Sequence, residues 1–110
     1  MPSRAVTAAA LDTGEIDVGM IDTTDPNLVK TELDLVLLED DRRLQPAENV
    51  VPVVRRELLD VYGPALVRLC NSVSAQLTTT DLTRLNLQVV DGQPAADAAS
   101  GWLRAHTIIG

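Results

Sequence analysis

The sequence predicts a mixed α/β fold with few strands and a carboxy-terminal group of helices. Residues 15–21 alternate apolar with polar or small side chains, which is the period of a strand. Residues 33–38 are a short apolar run that suits a strand buried on both faces, and residues 49–54 are a second, β-branched run. From Arg55 onward the apolar residues recur at helical spacing, which predicts amphipathic helices packed on a core.

The segment around the first predicted strand carries its own boundary signals. Ser3 is a suitable amino-terminal cap for a short helix, and Gly14 is a suitable stop because glycine enters the left-handed region without steric cost. Residues 22–27 are rich in capping residues and predict a loop. Pro26 can open one helical turn that extends to Val29.

The carboxy-terminal half predicts three or four helices. A short helix over residues 56–61 is followed by Gly63 and Pro64, which restart the chain. The threonines at 78–80 offer a cap for the next helix, and Asp81 favours its positive end. Pro94 opens the last helix.

Few strands make a poor sheet, because the edge groups of each strand need partners. Pro52 has no N–H to donate, so its strand belongs at an edge or is broken there. The chain therefore predicts part of a larger sheet, or a sheet that two copies complete between them.

Composition excludes several classes of function. The chain has 110 residues, and its 9 Lys and Arg against 16 Asp and Glu give a formal net charge of −7. An acidic chain without clustered basic residues is a poor nucleic-acid binder. No run approaches the length of a membrane span, and we expect no signal peptide at the amino terminus. Cys70 is the only cysteine, which excludes an internal disulfide.

Catalytic patterns are missing from the sequence. The single histidine, His106, falls on an apolar helical face near a chain end, where a packed or surface role is expected. The acidic run at residues 39–41 is typical of a solvated turn and matches no calcium loop. We expect no enzyme activity, no catalytic residue, no metal site and no cofactor.

Two polar segments are candidates for a binding site. Thr23, Thr24 and Asp25 directly follow a predicted strand, at the end where open α/β sheets usually bind ligands. Glu48 and Asn49 precede another predicted strand, and they could offer a charge for a cation and an amide. The alternative for each segment is a plain turn or loop, which residue chemistry alone favours.

An ordered set of short motifs resembles the compatible-solute-binding proteins of ABC importers, which take up glycine betaine, choline or carnitine. Each motif is weak alone, but the order and spacing of the set are specific. The motifs are GEIDV at 14–18, TTDP at 23–26, LVLLEDD at 35–41, LQPAENVVPVVR at 44–55, LTT at 77–79, LNLQV at 85–89 and ASGWL at 99–103.

The resemblance implies part of a two-lobed periplasmic-binding-protein fold of type II, in which a ligand sits between lobes joined by crossing strands. Residues 1–110 would form a single fragment-like domain. Residues 1–32 would be the end of the second lobe, residues 33–54 the crossing strands and residues 55–110 helices of the first lobe.

The resemblance also implies a site and its partners. The ligand-binding residues would be Thr23, Thr24, Asp25, Glu48 and Asn49, with a quaternary-ammonium or amino-acid-like ligand. An ABC permease would be the protein partner, and the location would be outside the cytoplasm.

The departures from the family pattern concern the ligand cage. A quaternary ammonium group is normally held by aromatic rings, yet the chain has no Phe, and neither Tyr62 nor Trp102 falls in a cleft motif. Both are expected to be packing residues. We therefore expect this chain alone to bind a betaine-like ligand weakly or not at all. The alternative function is a truncated homologue that binds no ligand and self-associates through exposed strands as a structural protein.

Overall fold

A computed structural model describes residues 4–30 and 32–110. Its helices are α1 (Arg4–Asp12), α2 (Arg56–Gln76), α3 (Thr79–Val90) and α4 (Ala95–Ala105), with one 3₁₀ turn at Pro26–Val29. The chain divides into two compact units. The first unit comprises Met1–Leu37 and Thr78–Ala98, and the second comprises Leu38–Leu77 and Ala99–Gly110.

Helix α1 ends as its sequence predicts. Gly14 adopts a φ of 73°, and the N–H groups of Glu15 and Ile16 both donate to the carbonyl oxygen of Ala10. The chain then turns back across the helix. A Cβ placed on Gly19 would lie 2.8 Å from Cγ2 of Thr7, so glycine is needed for this close approach. The predicted Ser3 cap lies outside the described residues.

The two helical pieces predicted around Gly63 form one kinked helix, α2. Gly63 has φ 58° and ψ −147°, a conformation that is almost confined to glycine. Pro64 follows inside the helix and has no N–H to donate to the preceding turn. The predicted restart at these two residues is therefore the position of the kink.

Helix α3 begins with the predicted cap. The Thr78 side chain accepts a hydrogen bond from the N–H of Asp81, whose carboxylate in turn accepts from the N–H of Thr78 at 3.0 Å. This reciprocal pair is a capping box, and it satisfies N–H groups that a helix start leaves without partners. A turn at Asp91 and Gly92 separates α3 from α4.

The predicted strands are not confirmed in the described residues. None of the segments 15–21, 33–38 and 49–54 forms a strand, so the described residues give only the helical part of the predicted α/β fold. Asp34 has a φ of 44°, which breaks the extended backbone inside the second segment. Pro52 interrupts the third. A strand also needs a neighbouring strand for its N–H and C=O groups, and local pattern cannot supply one.

The missing sheet leaves apolar side chains in water. Among the described residues only Ala8 and Ala98 are buried apolar residues, whereas 21 large hydrophobic residues are exposed. Val36 is 80% exposed, although it lies in the segment predicted to be a strand buried on both faces, and Val53, in the apolar segment that contains Pro52, is 91% exposed. These segments are as apolar as core segments, but their side chains are largely exposed.

Candidate functional site

The first candidate segment, residues 23–25, forms a tight loop in the first unit. Asp25 is 1% exposed and caps the 3₁₀ turn. Its Oδ1 accepts hydrogen bonds from the backbone N–H of Asn27 at 2.9 Å and from Nδ2 of Asn27 at 2.8 Å. The N–H of Asp25 donates to the carbonyl oxygen of Asp22 and closes the turn. Asp25 therefore acts here as a cap that shapes the loop.

Helix α3 holds this loop through two side chains. The hydroxyl of Thr83 donates to the carbonyl oxygen of Thr23 at 3.0 Å, and Nδ2 of Asn86 donates to the carbonyl oxygen of Thr24 at 2.8 Å. Thr83 is buried with 4% of its surface exposed. Thr83 and Asn86 are three residues apart, so they share one face of the helix. We call these two hydrogen bonds the α3 clamp.

Sequence analysis did not single out Thr83 or Asn86. Their only signal is position: Leu82, Leu85 and Val89 predict the inward face of this helix, and two polar residues interrupt it. A polar side chain on an inward face needs a hydrogen-bond partner, and the partner here is a loop about sixty residues earlier.

An open cavity of about 610 Å³ adjoins the same loop within the first unit. Asp25 lines it together with Asp12 and Glu32, and Lys30 supplies one ammonium group. The remaining wall is mostly aliphatic and comes from Ala5, Ala8, Ala9, Pro26, Asn27, Leu33 and Val90. Its charged and apolar parts suit a small ligand that has both.

The second candidate segment lies in the second unit. Glu48 and Asn49 are both exposed in irregular backbone. Shortly before them, the carboxylate of Asp40 accepts hydrogen bonds from the N–H groups of Leu44 and Gln45 at 3.0 and 2.9 Å. The N–H groups of Gln45 and then Leu44 lower the pKa of Asp40, since both stabilise the ionised form. The structure thus brings together three of the five predicted site residues and assigns the other two to another unit.

The two aromatic residues differ in their surroundings. Trp102 stacks on His106 with ring centroids 4.0 Å apart, as expected for packing residues, and Nδ1 of His106 lies 2.9 Å from the carbonyl oxygen of Trp102. Nε1 of Trp102 is buried and has no hydrogen-bond partner among the described residues. Tyr62 is 61% exposed, so the expectation that it packs is wrong within the described contacts.

The order and spacing of the motifs point to one known class of protein. The chain matches the family model of the substrate-binding domain of ABC-type glycine betaine transport systems over residues 1–105. The chain belongs to this family. No solved structure matches it.

Family membership settles the general class of function. This is a family of transport proteins that bind a small substrate for an ABC permease, and it is not an enzyme family. Its members are typically extracytoplasmic, and its domain implies a type II periplasmic-binding fold. In the part of the chain that the structure describes, no helix has both the length and the apolar character needed to cross a membrane.

Proposed function

We propose that the chain is all or part of the substrate-binding component of an ABC importer for quaternary-ammonium compatible solutes, such as glycine betaine, choline or carnitine. It would act outside the cytoplasm and deliver its ligand to the permease. Family membership over residues 1–105 supports the general class. The α3 clamp on the loop at residues 23–25 is the observation that carries the site.

The clamp supports a binding role because it fixes backbone that would otherwise be a surface turn. A ligand that meets a pre-ordered loop does not bear the cost of ordering it. Thr83 and Asn86 hold the carbonyl groups of Thr23 and Thr24, and Asp25 fixes the next turn through Asn27. We therefore assign Thr23, Thr24 and Asp25 to the binding loop, with Asp25 as its shaping residue.

Glu48 and Asn49 would supply the second group of contacts. Both are exposed and thus free to meet a ligand once further protein covers them. A carboxylate attracts a quaternary ammonium group by charge, whereas a cage of aromatic rings attracts it through cation–π contacts. One carboxylate binds a quaternary ammonium group more weakly than an aromatic cage does, so aromatic residues from elsewhere in the full protein would complete the site.

The large exposed area supports the proposal that further protein completes the fold. The chain, at 11.8 kDa, exposes 8829 Å². Even two separate globules of half this mass would expose only about 7,100 Å² together. The excess is consistent with apolar segments that the rest of a two-lobed protein would cover. We expect weak ligand binding by this chain alone for the same reason.

Ligand titration tests the proposal. An ¹⁵N-labelled sample of the chain would be titrated with glycine betaine, choline, carnitine and proline, and amide shifts would be followed by NMR, which detects weak binding. We expect shifts centred on residues 23–25 with at least one of these ligands, and smaller shifts in Glu48→Ala. Silence from all four ligands, in the chain and in calorimetry of a longer family member, would reject the ligand class.

Self-association is a second candidate function, favoured by the exposed apolar segments. The predicted route through exposed strands is not supported, because none of the described residues forms a strand. The contact would instead use residues 36–38 and 50–53, whose large apolar side chains are exposed. Light scattering on the native chain and on Val53→Lys would test it, with Thr80→Lys as the charge-matched control. A native monomer would exclude this candidate, whereas a dimer that only Val53→Lys dissociates would support it.

A further inference from the structure

In the α3 clamp, both helix side chains are hydrogen-bond donors and both loop groups are acceptors. The clamp occupies the carbonyl oxygens of Thr23 and Thr24, which are the backbone acceptors of the loop. We propose that Thr83 and Asn86 are positioning residues that make the Thr23–Thr24 loop a hydrogen-bond-donor site for the carboxylate of a zwitterionic ligand. The inference rests on the proposed function and deepens it, because it states which end of the ligand this loop recognises.

Two hydrogen bonds from α3 fix the side of the loop that carries the carbonyl oxygens. The Thr83 hydroxyl lies 3.0 Å from the carbonyl oxygen of Thr23 and 2.9 Å from that of Thr79, so its single proton is shared between two acceptors. The side-chain amide of Asn86 lies 2.8 Å from the carbonyl oxygen of Thr24. Both helix side chains act as donors, which orients the two peptide groups with their oxygens toward α3.

The other side of the loop carries donors. A peptide group is planar and trans, so the N–H of Thr24, which shares a peptide group with the clamped carbonyl of Thr23, points away from α3. The N–H of Asp25, which shares one with the clamped carbonyl of Thr24, instead donates to the carbonyl oxygen of Asp22 at 3.0 Å. Within the described part of the chain, neither the N–H nor the hydroxyl of Thr23 or Thr24 donates a hydrogen bond. Thr23 is exposed and Thr24 is half-buried, so these groups are accessible to a small ligand.

Donors of this kind match a carboxylate better than an alcohol. Hydrogen bonds from N–H and O–H groups to an ionised carboxylate are shorter and about twice as strong as bonds between neutral partners. The nearest buried carboxylate, Asp25, is already engaged through Oδ1 with both donors of Asn27. Glycine betaine carries a carboxylate, whereas choline carries a neutral hydroxyl at the corresponding end. The loop should therefore distinguish these two ligands.

The test compares the two ligands across variants of the clamp. Thr83→Val and Asn86→Leu remove the donors with little change in size, Thr83→Ser retains the hydroxyl, and Asn71→Leu changes an exposed asparagine on α2 as the control. Affinities for glycine betaine and choline would be measured by NMR titration of the labelled chain, whose spectra also report folding. We expect the clamp variants to lose about tenfold in glycine betaine affinity and less than twofold in choline affinity. Thr83→Ser should keep most of the native preference.

The possible outcomes distinguish failure of the donor-site inference from failure of the proposed function. If both ligands lose affinity equally in the clamp variants, Thr83 and Asn86 support the fold only, and the donor site is overturned. If the native chain binds but its ligand preference is unchanged in both variants, the inference fails while the proposed function stands. If neither ligand shifts any amide of the native chain, the proposed function fails and the inference falls with it.

Discussion

The side-chain amide of Asn86 donates a hydrogen bond to the carbonyl oxygen of Thr24 at 2.8 Å, across 62 positions of sequence. With the neighbouring bond from Thr83, it joins a helix near the end of the chain to the loop that sequence analysis chose as a binding segment. A long-range bond of this kind holds the loop in one conformation, which neither the loop nor the helix does alone.

We predict that Asn86→Ala lowers the free energy of unfolding by about 1–2 kcal/mol, because a half-buried carbonyl loses its partner. The measurement is a urea titration followed by circular dichroism. Asn71→Ala is the matched control, since Asn71 is exposed on α2 and both changes raise helix propensity equally. Equal stability of the two variants would show that the clamp contributes nothing.

The helices and caps could be predicted from sequence because their causes are local. Gly14 ends α1 and Pro26 opens the turn that ends at Val29, as expected. Thr78 and Asp81 form a cap that depends on residues three apart. In each case the signal and the structure lie within one turn of helix, so no distant contact has to be known.

The strands and the clamp could not be predicted because their causes are distant. An apolar run such as residues 33–38 indicates burial, but it does not indicate which segment pairs with it. The described residues offer it no pairing strand, and Asp34 turns the backbone out of the extended region. The role of Asn86 could not be predicted for the same reason, because its hydrogen-bond partner is 62 residues away.

We predict that substitutions of two glycines, one at the kink in α2 and one inside α4, change the free energy of unfolding in opposite directions. Gly63→Ala should lower the free energy of unfolding by about 1–3 kcal/mol, since φ 58° and ψ −147° strain any residue with a Cβ. The added methyl would meet no atom within 4 Å, so the cost is backbone strain alone. Gly101→Ala lies inside α4 with equal room, and it should raise the free energy of unfolding by about 0.5–1 kcal/mol. Thermal unfolding would measure both, and a shift of the same sign would contradict the assignment of the kink.

Because Gly19 lies close to α1, we predict that Gly19→Ala destabilises the protein and that Thr7→Ser restores part of the lost stability. The Cβ of Gly19→Ala would lie 2.8 Å from Cγ2 of Thr7, a methyl that cannot swing away easily because threonine is β-branched. We expect a loss of about 1–3 kcal/mol from overpacking. Thr7→Ser deletes that methyl, so the double variant should be more stable than the sum of the single changes predicts. Simple additivity in urea unfolding would mean that the segment does not lie against the helix.

The turn at residues 40–45 should open in acid. The N–H groups of Gln45 and Leu44 lower the pKa of Asp40 by stabilising its carboxylate. A group whose pKa is lower in the folded state favours that state above its unfolded value, which is about 3.9 for aspartate. That contribution is lost as the pH falls through the lower, folded value. The turn should therefore persist at neutral pH and open only below about pH 3.9.

Amide chemical shifts of Leu44 and Gln45 would follow this transition in an acid titration. Asp40→Asn should remove the transition, because an amide side chain offers one neutral acceptor oxygen in place of two charged ones. Asp41→Asn is the control, since it removes the same charge at the next position and leaves both hydrogen bonds of Asp40 in place. Arg43, with a φ of 52°, lies inside the turn and should relax to extended backbone when the turn opens. A transition that survives in Asp40→Asn, or one that already occurs near neutral pH, would show that another group controls the turn.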